Sequence, residues 1–346
     1  MASSLKDIAN ELGISVSTVS RVVNDKYYVS PKMRVKVLTA LKKHDYAPNQ
    51  IARSLKTQST KTVGIIVPDI REYFSNVIKG ADSILYENGY TIILADSNES
   101  REREERYLRA LYERRIDGLI LATVSSNAEC ILPYFERKTP VVFFDNLPEL
   151  NCPYDAVMLD NNLASRMAVD HLVECGHKRI AIICGELSET TAKERMQGYK
   201  LAMIDHGLAL DDRLIKVGPF EDISGYRAMR ELIERRGECD FSAVYTTSYK
   251  MTCGALRALR DMELRCPEDV ALVGFDFIDE SGQISPKITS IVQPIKTIGE
   301  VIARRLIVRM RQRAPEDKEG EAIPRKVVLA PTLEKGGSSG YIPADR

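Results

Sequence analysis

The residues whose types and spacing could do chemistry lie close to the start of the chain. Val16, Ser17 and Arg21 fall on one side of a short helical pattern, opposite the apolar positions Val19 and Val22. Small side chains near a helix N-terminus let the helix approach base edges, and an arginine one turn later can reach guanine or a phosphate. This face therefore predicts contact with the major groove of duplex DNA.

No residue pattern predicts catalysis or metal binding. The chain has four histidines and seven cysteines, and they stand singly, without metal-ligand or catalytic-triad spacing. The sequence also lacks the Walker A, G-x-G-x-x-G and G-x-S-x-G patterns of nucleotide-binding and hydrolytic enzymes. We therefore expect a protein that is not an enzyme, uses no cofactor and holds no metal.

Three short helices near the N-terminus must position the predicted DNA-binding face. The first helical pattern ends at Gly13 and the second begins at Ser15, so a tight turn joins them in a helix-turn-helix. Ser30 and Pro31 begin a third helix, with Pro31 at the first helical position. The predicted buried face of this third helix consists of Met33, Val37, Leu38 and Leu41.

Charge is distributed unevenly along the 346 residues. Residues 1–61 carry eleven Lys and Arg but only four Asp and Glu, a net charge of +7, whereas the whole chain is balanced at 49 of each sign. A basic head on an acidic body is typical of proteins that bind a polyanion. Together with the helix-turn-helix pattern, the charge favours double-stranded DNA as the partner over a merely solvated face.

The same segment resembles the signature of LacI/GalR-type transcription regulators. The resemblance rests on Leu5–Ala9 (LKDIA), Gly13–Asn24 (GISVSTVSRVVN) and Tyr46–Lys56 (YAPNQIARSLK), and it extends over essentially the whole chain. It implies a helix-turn-helix DNA-binding domain at residues 1–48, followed by a hinge helix and linker at residues 49–61.

The hinge is short enough to act as a switch. A helix of about two turns is marginal in water, so this one would become ordered only against a partner or DNA. The resemblance implies that Leu55 wedges between base pairs in the minor groove, and a plain linker with a packed Leu55 is the alternative. The remaining predicted DNA contacts are Thr18, Ser20, Asn24, Tyr28, Ser30, Asn49, Ala52 and Lys56.

Residues 62–346 alternate short apolar runs with amphipathic helical patterns. Thr91–Ala95, Val141–Phe144 and Ile180–Cys184 are examples of the apolar runs. The alternation predicts doubly wound parallel sheets, and about 280 residues are too many for one such core. The resemblance implies a periplasmic-binding-protein-like α/β core of two doubly wound lobes behind the N-terminal all-α domain. We expect lobe 1 at about 62–159 and 290–323 and lobe 2 at about 160–289 and 324–346, with chain crossings near Asp160, Thr289–Pro294 and Pro324.

A cleft between two such lobes, at the carboxyl ends of the strands, is the expected ligand site. By resemblance, a small effector would contact Tyr73, Phe74, Asp145, Thr191, Arg195, Phe220, Tyr249 and Asp276. An interlobe salt bridge is the alternative for Arg195 and Asp276, and burial in a core is the alternative for Phe220. Tyr249 stands where the family usually has a carboxylate, so a modified sugar, a sugar acid and a nucleoside are as open as a plain sugar.

Together, these features predict a dimeric, sequence-specific regulator, of repressor type, that binds a pseudo-palindromic operator and is switched by the effector. The alternatives are a secreted-type solute-binding receptor on the same core and a regulator switched by a protein co-repressor. The start lacks an apolar signal region and no stretch reaches the length of a bilayer span, so we expect a cytoplasmic protein with no membrane partner. Lys335–Gly340 (KGGSSG) predicts a flexible end rather than a coiled-coil tail.

Overall fold

The chain forms two compact units, Met1–Thr60 and Lys61–Arg346. The computed structural model describes residues 4–23, 28–46, 59–125, 129–279, 282, 285–312 and 325–340.

The described residues of the first unit form three helices, α1 (Leu5–Leu12), α2 (Val16–Val23) and α3 (Pro31–Lys43). A capping box at Ser4 begins α1, and Gly13 ends it with a left-handed φ of 63°. The side chains buried between the three helices are Ile8, Ala9, Val19, Val22, Val37 and Ala40.

The buried face of α3 differs from the prediction at one position. Leu38 is 50% exposed, whereas Ala40 is buried. Met33, Val37, Ala40 and Leu41 form one stripe of the helix, and Leu38 lies about 100° away from Val37 around the axis. Leu38 was therefore wrongly assigned to the core.

The second unit contains twelve described strands and eight described α-helices. The strands are β1 (Thr62–Val67), β2 (Thr91–Asp96), β3 (Gly118–Leu121), β4 (Val141–Phe144), β5 (Asp155–Leu159), β6 (Ile180–Cys184), β7 (Ile215–Val217), β8 (Ala243–Thr246), β9 (Ala271–Phe275), β10 (Thr289–Val292), β11 (Lys326–Leu329) and β12 (Thr332–Glu334). The helices are α4 (Glu72–Glu87), α5 (Arg101–Glu113), α6 (Leu132–Glu136), α7 (Asn161–Glu174), α8 (Thr190–Asp205), α9 (Asp222–Glu234), α10 (Tyr249–Asp261) and α11 (Ile295–Gln312). Within the described ranges, no helix has both the length and the apolar character needed to cross a bilayer.

Two six-stranded sheets form the two lobes. The first sheet has the order β11-β5-β4-β3-β1-β2 and the second has the order β12-β10-β9-β8-β6-β7. Every neighbouring pair is parallel except β10 with β12. Helices α4 and α11 cover one face of the first sheet and α5 and α6 the other, while α7 and α8 are opposite α9 and α10 on the second. The central strands are therefore buried on both faces, which explains their continuous apolar runs, whereas the edge strands β2, β7, β11 and β12 are partly exposed.

One of the three chain crossings lies later than expected. The first crossing is at Asp160, and β10 pairs with β9 in the second sheet, so the second crossing follows Val292, within the predicted range Thr289–Pro294. Strand β11 pairs with β5 in the first sheet, so the third crossing falls between Leu329 and Thr332 rather than near residue 324. Pro324 was expected to mark the third crossing, but β11 begins two residues after this proline and still pairs in the first sheet.

The glycine- and serine-rich C-terminal segment is anchored by two buried serines, Ser338 and Ser339, contrary to the prediction of a flexible end. Ser338 is 0% exposed, donates from Oγ to the carbonyl of Leu272 (2.7 Å) and accepts the N–H of Thr289 (2.8 Å). A Cβ added at Gly336 would lie 2.2 Å from the carbonyl oxygen of Lys287. Small residues are thus required here because the backbones meet closely.

A buried carboxylate joins three elements of the first lobe. Asp155, at the start of β5, is 2% exposed and forms ion pairs with Arg305 and Arg309 of α11. It also accepts the backbone N–H of Arg325, which precedes β11 (3.2 Å). Asp155 therefore holds β5, the last strand before the first crossing, against α11 and the start of β11.

Candidate functional site

The outward face of α2 carries the side chains predicted to read DNA. Val16, Ser17 and Arg21 are exposed, while Val19 and Val22 are buried against the other two helices. The Ser15 hydroxyl accepts the backbone N–H of Thr18 at 3.2 Å and so caps the start of the helix.

The other predicted DNA contacts fall into two groups. Thr18 and Ser20 are half-buried on α2, and Tyr28 and Ser30 are exposed just before α3. The positions that lie outside the described residues are Asn24, Asn49, Ala52, Leu55 and Lys56. The roles of both groups at DNA therefore stay predictions.

A cleft of about 580 Å³ lies between the two lobes, at the carboxyl ends of the strands of both sheets. All eight predicted effector residues line it, namely Tyr73, Phe74, Asp145, Thr191, Arg195, Phe220, Tyr249 and Asp276. Their contact with an effector stays a prediction.

Aromatic rings form apolar walls on both sides of the cleft. In the first lobe Tyr73 and Phe74 meet edge to face with ring centroids 5.0 Å apart, so both line the cavity. In the second lobe Phe220 packs over Gly185, where an added Cβ would lie 2.2 Å from the ring. Any side chain at position 185 would push this ring away from its place. Such walls suit the face of a sugar or heterocyclic ring.

Arg195 is buried and its guanidinium is held from several directions. Nε donates to Asn161 Oδ1 (2.8 Å), and Nη1 donates to the carbonyl of Thr247 (2.6 Å). The guanidinium carbon lies 3.8 Å from the centroid of the Phe275 ring. Among the described residues none accepts a hydrogen bond from Nη2, which leaves donors available to a ligand.

Asp145 and Asp276 occupy matching positions, each just after a strand and each with positive φ, 64° and 53°. Burial raises the pKa of Asp145 to about 6, with Arg195 opposing and Glu99 and Asp276 adding to the rise. Burial also raises the pKa of Asp276, although its carboxylate accepts both the backbone N–H (2.9 Å) and the side-chain amide (2.6 Å) of Gln293. The salt bridge considered between Arg195 and Asp276 is not formed, since each has other partners.

Direct contacts between the lobes were missed by the sequence analysis. Lys250 Nζ of lobe 2 donates to Asp69 Oδ2 of lobe 1 at 2.7 Å. Burial alone would raise the pKa of Asp69, but hydrogen bonds from Lys250 and the backbone of Arg71 keep it below its ordinary value. Elsewhere Asn146 Nδ2 donates to Glu189 Oε2 at 3.1 Å. The only sequence signal was that Lys250 follows Tyr249, where the chain departs from the family pattern.

Carboxylates outnumber cations on the cleft wall. The acidic residues that line it are Asp69, Glu99, Asp145, Glu189, Asp276 and Asp279. The basic ones are Arg71, Arg195 and Lys250. Burial raises the pKa of both Glu99 and Glu189. The negative charge of Glu189 raises the pKa of Glu99 further, and that of Asp145 does the same for Glu189. In the part of the chain that the structure describes, no group of three His, Cys, Asp or Glu residues is placed to hold a metal ion.

Comparisons with known proteins match both units. The family model for bacterial regulatory proteins of the lacI family matches residues 4–49, and the model for periplasmic binding proteins and the sugar binding domain of the LacI family matches residues 60–328. The ribose operon repressor of Escherichia coli (strain K12) is 33% identical, over 97% of this chain and 99% of its own length.

Solved structures match the whole architecture. The transcriptional regulator CelR–cellobiose complex is 32% identical and covers 97% of this chain and 99% of its own, with a TM-score of 0.72. The Lac repressor dimer bound to operator and the anti-inducer ONPF covers 98% and 100% with a TM-score of 0.83, and at 23% identity it supports the fold alone. The predicted resemblance and fold class are confirmed, and the chain belongs to the LacI family of bacterial regulatory proteins.

Proposed function

We propose that this LacI-family DNA-binding regulator is a repressor that acts as a homodimer on a pseudo-palindromic operator and is switched by a small molecule in the cleft. The observation that carries the proposal is the cleft itself, because it brings together eight predicted effector residues from both lobes in a chain that also has a helix-turn-helix domain. Two-fold symmetry of a dimer matches two-fold DNA half-sites. The names of its relatives, a ribose operon repressor and a cellobiose-bound regulator, support both repression at an operator and switching by a small molecule.

The effector we propose is a hydroxylated ring that is neutral or carries an amine. Lys250 is paired with Asp69, and two of the three guanidinium nitrogens of Arg195 donate to protein oxygens, so Nη2 of Arg195 is the main cationic donor left for a ligand anion. The Asp145 carboxylate, by contrast, needs donors, which sugar hydroxyls or an ammonium group supply. Sugar acids and sugar phosphates would add charge beside carboxylates that already repel one another.

Binding would be coupled to DNA through a change in lobe orientation that orders or melts the hinge at residues 49–61. Such couplings are worth about 1–3 kcal/mol in typical systems, a 5- to 150-fold change in operator affinity. This role needs no catalysis, and it assigns the protein to the cytoplasm, where its operator is.

The DNA half of the proposal is tested with the region upstream of the chain's own gene cluster and a scrambled duplex of equal length. The full chain should prefer the upstream region, and Arg21→Ala should remove that preference. Lys32→Ala is the matched control, because it removes one exposed positive charge from α3 rather than from the reading face. Equal, salt-sensitive affinity of the unchanged protein for both duplexes would contradict the proposal.

The effector half is tested by calorimetry with a matched series of glucose, glucosamine and glucuronate, repeated with ribose and ribose 5-phosphate. We expect the amine or neutral member of each set to bind and the anionic member to bind least. Tighter binding of glucuronate than of glucosamine would overturn the proposed effector class. Co-purification of a second protein that changes operator affinity would instead favour a protein co-repressor.

A further inference from the structure

We propose that Lys250 and Asp69 form an interlobe latch that holds the cleft closed when no ligand is bound. Asp69 follows β1 in the first lobe, and Lys250 is the second residue of α10 in the second lobe. The Nζ–Oδ2 distance is 2.7 Å, so the pair is a direct, charge-assisted hydrogen bond across the opening.

The pair is sheltered enough to carry free energy. The Asp69 side chain is 10% exposed and that of Lys250 is 28% exposed. Ion pairs on open surface contribute little, whereas partly buried ones are screened less by salt. Asp69 is also held in place by the backbone N–H of Arg71 (2.9 Å), so its own side chain loses little entropy when Lys250 pairs with it.

The position of Lys250 is unfavourable for its own helix. The first turn of a helix carries partial positive charge and disfavours a lysine. The helix start is already capped by Ser248, whose hydroxyl accepts the N–H of Met251 at 3.2 Å. The placement of Lys250 is thus explained by its partner in the other lobe and not by the stability of α10.

A second set of interlobe bonds reports whether the cleft is closed. The backbone N–H of Leu147 donates to Thr190 Oγ1 (3.3 Å), and that of Thr191 donates to Asn146 Oδ1 (3.4 Å). These bonds join lobe 1 to lobe 2 and share no residue with the latch. Opening of the lobes breaks them, which frees both amides for exchange with solvent.

Because both partners of the latch are protein groups, its free energy favours the closed arrangement whether or not a ligand is present. A ligand would then have to wait for opening, so the latch slows its entry and lengthens its stay. This consequence for regulation rests on the proposed function, but closure by the latch does not.

The test is hydrogen–deuterium exchange of the ligand-free full chain, read at peptides that contain Leu147 and Thr191. In Lys250→Met and in Asp69→Asn, exchange at both sites should be about tenfold faster, which corresponds to about 1.4 kcal/mol. Asp69→Asn keeps an oxygen for the Arg71 N–H, and Lys250→Arg keeps the charge and should retain protection. The double variant should exchange no faster than either single variant.

Lys216→Met is the matched control, because Lys216 pairs with Glu231 at the same 2.7 Å within one lobe. It should leave exchange at both reporter sites unchanged. Wild-type exchange rates in both Lys250→Met and Asp69→Asn would overturn the latch, as would equal acceleration in Lys216→Met. Faster exchange in the latch variants, together with no effect of any sugar on operator binding, would support the latch and contradict the proposed function.

Discussion

Binding of a neutral sugar in the cleft should weaken as the pH falls from 7 to 5. The perturbed group is Asp145, whose pKa is raised to about 6 by burial, with Glu99 and Asp276 reinforcing the rise and Arg195 opposing it. In the proposed function a ligand hydroxyl would donate a hydrogen bond to the ionised carboxylate, so ligand binding would favour the deprotonated form. Protonation of Asp145 therefore competes with the ligand.

The magnitude follows from the fraction of Asp145 that is ionised. With a pKa of about 6, roughly nine-tenths of the carboxyl is ionised at pH 7 and roughly one-tenth at pH 5. The dissociation constant of a ligand that binds only the ionised form should rise about tenfold over this range, and it should change little above pH 7. A change of this size is equivalent to about 1.4 kcal/mol.

The assay is calorimetry at pH 5, 6 and 7 with the neutral sugar that binds most tightly, and circular dichroism checks that the protein stays folded. Asp145→Asn should bind more weakly at pH 7 but lose most of the pH dependence, and asparagine tolerates the positive φ of this position. Glu231→Gln, far from the cleft on α9, should keep the wild-type slope. An unchanged dissociation constant of the wild type between pH 5 and 7 would refute the assignment of Asp145 as an ionised acceptor.

Three predictions concern stability. Asp155→Ala should lower the free energy of unfolding by about 3 kcal/mol in urea, because it removes the buried carboxylate with which two half-buried arginines form ion pairs, and a loss under about 1 kcal/mol would contradict this. Ending the chain after Lys335 removes the hydrogen bonds of Ser338, worth about 1 kcal/mol each, so the melting temperature should fall by several degrees; an unchanged value would mean that the segment is dispensable. Burial lowers the pKa of His171 and His177, so both are neutral in the fold, and stability should decline as the pH falls below about 6.5. His177→Gln should reduce that decline in urea titrations.

The sequence predicted elements best where local patterns decide them. The strands Val141–Phe144 and Ile180–Cys184 were predicted with their observed bounds, because runs of buried apolar residues end at polar ones. The first two helices were predicted equally well from the turn at Gly13. The eight predicted effector residues were taken from the family resemblance, and all of them line one cleft because strand ends in both lobes point toward it.

The features that the sequence did not reveal depend on tertiary pairing. The sheets to which β10 and β11 belong are decided by their partner strands, β9 and β5. The short sequences of β10 and β11 do not indicate these partners. The segment at residues 336–340 has the composition of a linker, yet its small side chains are what let it lie against β9 and β10. A high content of glycine and serine indicates that a segment can adopt many backbone conformations. Whether the segment is buried depends on the surface against which it packs.

The cleft also shows how one scaffold can be tuned to different ligands. The central strands of the lobes are buried on both faces, so their side chains are constrained by packing, whereas residues after the strand ends are not. Lys250 lies in such a position, and its pairing with Asp69 uses up a cation that would otherwise attract an anionic ligand. The Lys250 side chain thus affects both the closure of the lobes and the ligand charge that the cleft favours. Lys250→Met should open the cleft and also leave Asp69 with Arg71 (3.3 Å) as its remaining cationic partner, so glucosamine should gain relative to glucose in a direct calorimetric comparison. An unchanged ratio of the two affinities would contradict a role of Lys250 in the charge selectivity of the cleft.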